Sequence, residues 1–117
     1  MGTWSAGNFQ NDAALDFVED VLKTATTEVE AFSASPRGGI EDLDVVLAGM
    51  AIHLALHEHC NASAPNLDLA LNLREKVLRI YDEQIDSLKP KGDHKAQRRA
   101  IIEDTLRKYE AAAREGG

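Results

Sequence analysis

The residues best equipped for chemistry are in the run His53-Leu-Ala-Leu-His57-Glu-His59-Cys60. On a helix, His53, His57 and Cys60 stand at i, i+4 and i+7 and so project from one face. Two imidazoles one turn apart can share a zinc ion, and a thiolate one turn further on can join them only with some bending. The zinc-protease pattern is incomplete, because Leu54 occupies the place where a Glu would follow the first His. The remaining histidine, His94, is far along the chain. A plainer reading makes His57, Glu58 and His59 polar residues at a helix C-terminus, where a partly cationic imidazole suits the dipole. No metal or other cofactor is therefore expected, and His53, His57 and Cys60 are the candidate ligands should one bind.

A second group is basic: Lys89, Lys91, Lys95, Arg98 and Arg99, with His94 among them. It straddles a turn and the opening of a helix, where positive charge opposes the dipole. That disadvantage points to an acidic partner, either the first or second helix of the same molecule or a separate one. No aromatic residue interleaves the cluster to stack bases, so nucleic acid is not expected. Catalytic patterns are missing elsewhere. Gly38-Gly39 precedes no Lys-Ser or Lys-Thr, as a phosphate-cradling loop requires, and no serine sits in a nucleophile elbow. Cys60 beside His57 has neither an oxyanion hole nor a third orienting group on one turn of helix. The reading leans against an enzyme.

The third group is N-terminal. Residues 1–11 contain the only Trp, Trp4, together with Phe9, Gly2 and Gly7, ahead of any helical pattern. Trp4 and Phe9 are expected to insert into one end of a bundle, while the glycines permit the backbone to turn. Asn11 and Asp12 can each accept hydrogen bonds from the first N–H groups of a helix. The functional alternative has Trp4, Asn11, Asp12 and Asp16 lining a binding site for a small polar ligand or a partner.

Those groups need scaffolding, and the chain has the length for one domain with a single core. Its hydrophobic fraction of 44% suits a folded protein, but aromatics make up only 5%, so Leu, Ile, Val and Ala must fill the interior. One cysteine excludes an internal disulfide and fits a reducing compartment. No leader and no apolar run of membrane-spanning length is visible, so a cytoplasmic protein without membrane contact is expected. The net charge of −7 is lopsided. Residues 1–60 hold ten acids against Lys23 and Arg37, a balance of −8, whereas residues 61–117 hold ten acids and eleven bases, a balance of +1.

Hydrophobic periodicity predicts four helices and no strand. The first begins near Asn11 or Asp12 and places Leu15, Val18, Leu22, Ala25, Val29 and Phe32 on one stripe. It ends in a loop from Ser33 to Gly39. The second runs from Glu41 to about Cys60 and is apolar on nearly every side, which predicts a central position. After a connection through Pro65, the third spans Leu67 or Leu69 to Leu88. Leu71, Leu78, Tyr81, Ile85 and Leu88 form its main stripe, with Leu73, Val77 and Ile80 beside them. Lys89-Pro90-Lys91-Gly92 stops it. Asp93 caps a fourth helix to about Arg114, striped by Ile102, Leu106, Tyr109 and Ala113, and residues 115–117 form a loose tail.

The opening residues also carry a resemblance. Met1, Gly2, Trp4, Gly7, Phe9, Asn11, Asp12, Ala14 (or Ala13) and Asp16 follow a pattern that resembles the start of the bacterial domain-of-unknown-function family 4259. That family commonly has Gly directly after the Trp, another Trp after the last Asp, and further Trp residues toward the C-terminus. Here Ser5 and Phe17 stand at the first two places and the later Trp residues are absent. The resemblance implies an all-α fold and no particular activity.

Together these features predict a single all-α domain over residues 1–117, a compact bundle of about four helices with the Trp/Phe segment packed on it. The leading functional expectation is a non-enzymatic protein-binding or regulatory domain whose acidic face meets a basic protein. The rival is a small-molecule or metal-binding domain, catalysis included, that uses the His53/His57 face. Self-association through an exposed stripe is compatible with either.

Overall fold

The computed structural model describes residues 12–35 and 37–116. Trp4, Phe9 and Asn11 lie outside that range, and with them the expected packing of the N-terminal segment. Four α-helices make up the described chain: α1 (Asp12–Ala34), α2 (Leu43–Cys60), α3 (Leu67–Gln84) and α4 (His94–Gly116). Short 3₁₀ turns at Ile40–Asp42 and Ile85–Leu88 precede α2 and follow α3, and no strand occurs among the described residues. The all-α expectation holds.

Local chemistry sets most of the helix ends. Asn66 caps α3, its side-chain oxygen accepting from the Leu69 N–H at 3.0 Å. Asn61 ends α2 in the left-handed region (φ 59°), and the N–H groups of Asn61 and Ala62 both turn back to the Leu56 carbonyl. In front of α2, Asp42 accepts from the Gly39 N–H at 3.0 Å, and Gln84 on α3 accepts from the Ile40 N–H at 2.9 Å. The fourth helix continues through Gly116, two residues past the expected end.

In space, α1 packs on α2 and α3, and α4 packs on the same two helices. The helices thus form a ring in the order α1, α2, α4, α3: the connections α1–α2 and α3–α4 join neighbours, whereas residues 61–66 carry the chain across the diagonal from α2 to α3. Its centre holds Val29, Met50, Leu73, Val77, Tyr81, Ile102 and Tyr109, all essentially inaccessible to water. The expected stripes of α1 and α4 are the buried ones, except that Leu15 and Leu22 are only half-buried.

Two expectations need correction. The second helix sits at a corner of the ring rather than at its centre. With only α1 and α4 as main neighbours, it leaves Val45, Ala48, Ala51, Ile52 and Ala55 exposed. On α3 the buried arc is Ala70, Leu73, Lys76, Val77, Ile80 and Tyr81, so Leu73, Val77 and Ile80 lie at its middle. Leu71 and Leu88 are exposed. Leu88 is the last residue of the 3₁₀ turn, four residues beyond the end of α3.

Candidate functional site

The His53 side chain is buried where α2 meets α4 and the 61–63 loop. Its Nε2 lies 2.9 Å from the Ser63 carbonyl oxygen, which can only accept, so Nε2 carries the proton. That leaves Nδ1 to accept from the Tyr109 hydroxyl at 3.4 Å, with the two rings edge-on at 5.7 Å. Burial holds the His53 pKa below 6.5, opposed by the Ser63 bond and reinforced by His57 nearby. Burial likewise pushes the Tyr109 hydroxyl up to about 12, and the charge of Glu30 adds to the effect. Neutral imidazole and neutral phenol are therefore the resting forms at pH 7.

His57 repeats the arrangement one turn on, its Nδ1 donating to the Ala62 carbonyl at 2.7 Å. Cys60 is a buried free thiol. The three candidate ligands do share one side of α2, as their spacing requires. Both imidazoles, however, are directed at backbone carbonyls just past the helix end, which they tie back onto α2. Among the described residues no group of three or more His, Cys, Asp or Glu side chains is placed to hold a metal ion.

Beside this knot lies an open cleft of about 600 Å³, walled by α1 through Leu15, Glu19, Lys23 and Glu30 and by His53, Cys60 and Ser63 opposite. It includes His53 but neither His57 nor Asp12. Asp12 opens α1 and, like Asp16, is exposed there. Trp4 and Asn11 fall outside the described residues.

The charges divide unevenly over the surface. On the α3/α4 side, Arg99 grips Asp82 through two contacts of 2.8 Å and also reaches Glu103. That pairing holds the Asp82 carboxyl below its usual range and raises the guanidinium further. Glu110 receives Arg74 at 3.1 Å and Arg114 at 3.0 Å, Asp86 receives Lys95 at 2.8 Å, and Asp104 receives Arg107 and Lys108. Of the basic cluster, Arg98 alone crosses to the first half of the chain, meeting Asp44 of α2 at 3.1 Å. Among the described residues no carboxylate of α1 forms an ion pair.

One residue was not singled out from sequence. Lys76 is buried on the inner face of α3, and its Nζ donates to the Phe32 carbonyl, to Ser35 O at 2.6 Å and to Arg37 O at 3.2 Å. Its ammonium also stands 4.4 Å from the Phe32 ring centre. Burial lowers its pKa, helped by Arg79 and opposed by Asp42. Lys76 thus closes the C-terminus of α1 from another helix, where a cation suits the exposed carbonyls. A lysine flanked by Leu73, Val77 and Ile80 at helical spacing was the available signal.

A ring of four short-linked helices, with His53 and His57 bonded to loop carbonyls, defines a small helical-bundle domain. The family model described as a domain of unknown function, DUF4259, matches residues 2–115, and the chain belongs to that family. Comparison with curated proteins and with solved structures gave no match. No described helix is long and apolar enough to cross a membrane.

Proposed function

We propose that the domain is a non-enzymatic protein-binding module whose acidic α1 face meets a basic partner. One observation carries this reading: the α1 carboxylates Asp16, Asp20, Glu28 and Glu30 are exposed and form no ion pair among the described residues, whereas Asp82, Glu103, Asp104 and Glu110 of α3 and α4 are all paired. Uncompensated like charge on one face costs stability by self-repulsion, and it accelerates encounter with a partner of opposite sign. The test is affinity capture from cells of the source at low salt, using three forms of the domain. The wild type is expected to retain one stoichiometric basic protein. The variant D16K/D20K/E28K should lose it, and E115K on α4 should keep it. Equal capture by all three, or none by any, would overturn the reading.

A second reading is favoured by the cleft beside His53, where Lys23, Glu30 and Ser63 offer polar groups around an apolar wall of Leu15, Val18 and Leu22. In that reading the domain takes a small polar molecule without transforming it. A fragment screen by NMR would show chemical-shift changes confined to Lys23, Glu30, His53 and Ser63, and random or absent changes would remove it.

A further inference from the structure

The strongest unexplained surface feature is apolar. Along one flank of α2, Val45, Ala48 and Ile52 face Val21, Thr24 and Ala25 of α1 across an open groove of about 500 Å³. Its floor is shallow because the two backbones approach closely at Gly49, where an added Cβ would come within 3.0 Å of the Ala25 carbonyl oxygen. Val45 and Ile52 are 55% and 41% exposed, and Phe17, one helical turn before Val21 on the same side of α1, is 65% exposed. Large apolar side chains aligned in this way are a surface in want of a cover. Glu28 and Asp44 rim one end of the groove.

The chain itself contains a segment suited to that groove. Residues 1–11 join directly to the head of α1 and include no charged side chain, yet they hold Trp4 and Phe9. We propose that this segment folds back along α1, seats Trp4 in the groove between α1 and α2, and lays Phe9 over Phe17. The reach suffices. Trp4 precedes Asp12 by eight residues, up to about 26 Å of extended chain, whereas Val21 and Thr24 lie roughly 14 and 18 Å along the helix from Asp12. Phe9, three residues ahead of Asp12, can travel about 10 Å to a Phe17 that is roughly 7.5 Å along.

Competing occupants are disfavoured on physical grounds. A second copy, like any separate chain, has no tether to hold it at the groove. A foreign chain must compete with a tethered segment whose effective concentration is on the order of millimolar. An indole buries about 150–250 Å² and suits a groove walled by Val, Ile and Ala. This inference rests on the groove and the segment, not on the basic-partner reading, so either can fail alone.

The experiment uses the full chain, in which Trp4 is the sole tryptophan. Nuclear Overhauser contacts are expected from the Trp4 indole to the methyl groups of Val21, Val45 and Ile52 in dilute protein. Emission should be shifted to the blue of free tryptophan and shielded from acrylamide. Ile52→Asp should return the emission to that of free tryptophan without loss of helical circular dichroism. If that variant fails to fold, the contacts in the unaltered chain decide. Solvent-like emission with no such contacts overturns the proposal. So do contacts that appear only as concentration rises, which would mark a second copy as occupant, or contacts to Leu71, Leu88 or Ile101 instead.

Discussion

Between α3 and α4 the surface side chains neutralise one another: Asp82 holds Arg99, Glu110 holds two arginines, and Asp104 holds Arg107 and Lys108. On α1 the same bundle presents carboxylates that form no ion pair among the described residues, beside a groove of exposed Val45, Ala48 and Ile52. Both sides share one core and one helical geometry, so folding alone does not require the difference. On the α3/α4 side half of the carboxylates are answered within the fold. Uncompensated charge on one side carries a cost that an oppositely charged partner offsets. This contrast is what the proposed protein-binding reading rests on.

The two sides are joined at few polar points, and the largest predicted effect falls on one of them. Lys76→Met keeps the apolar stem but withdraws the ammonium from the Phe32, Ser35 and Arg37 carbonyls. Those acceptors lie at the end of α1, and leaving them short of donors should cost about 2–3 kcal/mol in urea unfolding. A loss under half that would mean that α1 does not depend on α3 for its closure. Next comes Gly49→Val, whose side chain must displace Val29, 2.9 Å from an added Cβ, and the Ala25 carbonyl. Overpacking of this kind costs about 1–3 kcal/mol, and it should part α1 from α2 while the α3/α4 ion pairs persist. Equal perturbation of amide shifts on both sides would erase the distinction drawn between them.

How far the sequence foretold this arrangement differs from element to element. The stripes Val18–Ala25–Val29–Phe32 and Ile102–Leu106–Tyr109–Ala113 were legible because each helix has one apolar face and a polar remainder. The position of α2 was not legible. A helix apolar all round reads as central, yet here its outer flank is the groove, so the same residues encode a core helix or an unfinished surface equally well. Lys76 was missed because pattern reading assigns lysine to solvent, and its partners are carbonyls that no sequence motif marks. His53, His57 and Cys60 share one side of α2 by their spacing alone. What spacing could not reveal is that the 61–63 loop turns back to meet the imidazoles, a consequence of the left-handed Asn61.

His53 gives the third prediction, intermediate in size. Replacing it by Ala removes the bonds to Ser63 and Tyr109 and should cost roughly 1–2 kcal/mol at pH 7. Its burial also sets a pH dependence of known sign. The folded-state pKa lies below 6.5, so the stability tied to neutral His53 is complete above pH 6.5 and is lost as pH falls toward the folded value. Denaturation midpoints of wild type and His53→Ala should therefore converge as pH drops below 6.5. Parallel curves would show that the imidazole is not held neutral in the fold.

The smallest effect is the most diagnostic for the two-sided picture. Asp16 and Asp20 lie one turn apart on the exposed side of α1, where like charges at i and i+4 repel. Asp16→Lys turns that repulsion into an attraction with Asp20, with Asp12 and Glu19 flanking the same position, a gain of roughly 0.2–0.5 kcal/mol per altered pair at low salt. Most surface substitutions are neutral or harmful, so a stabilising change at this position would mean that the native carboxylate is retained against the interest of the fold. On the other side, Arg107→Ala removes one exposed partner of Asp104 and should lower stability by less than about 1 kcal/mol. The two responses must have opposite signs, and both must shrink in high salt as screening removes the electrostatic part. Thermal unfolding of the two variants in low and in molar salt measures this directly. If Asp16→Lys destabilises at low salt, α1 is already compensated, and the acidic face loses its claim to be the side that waits for a partner.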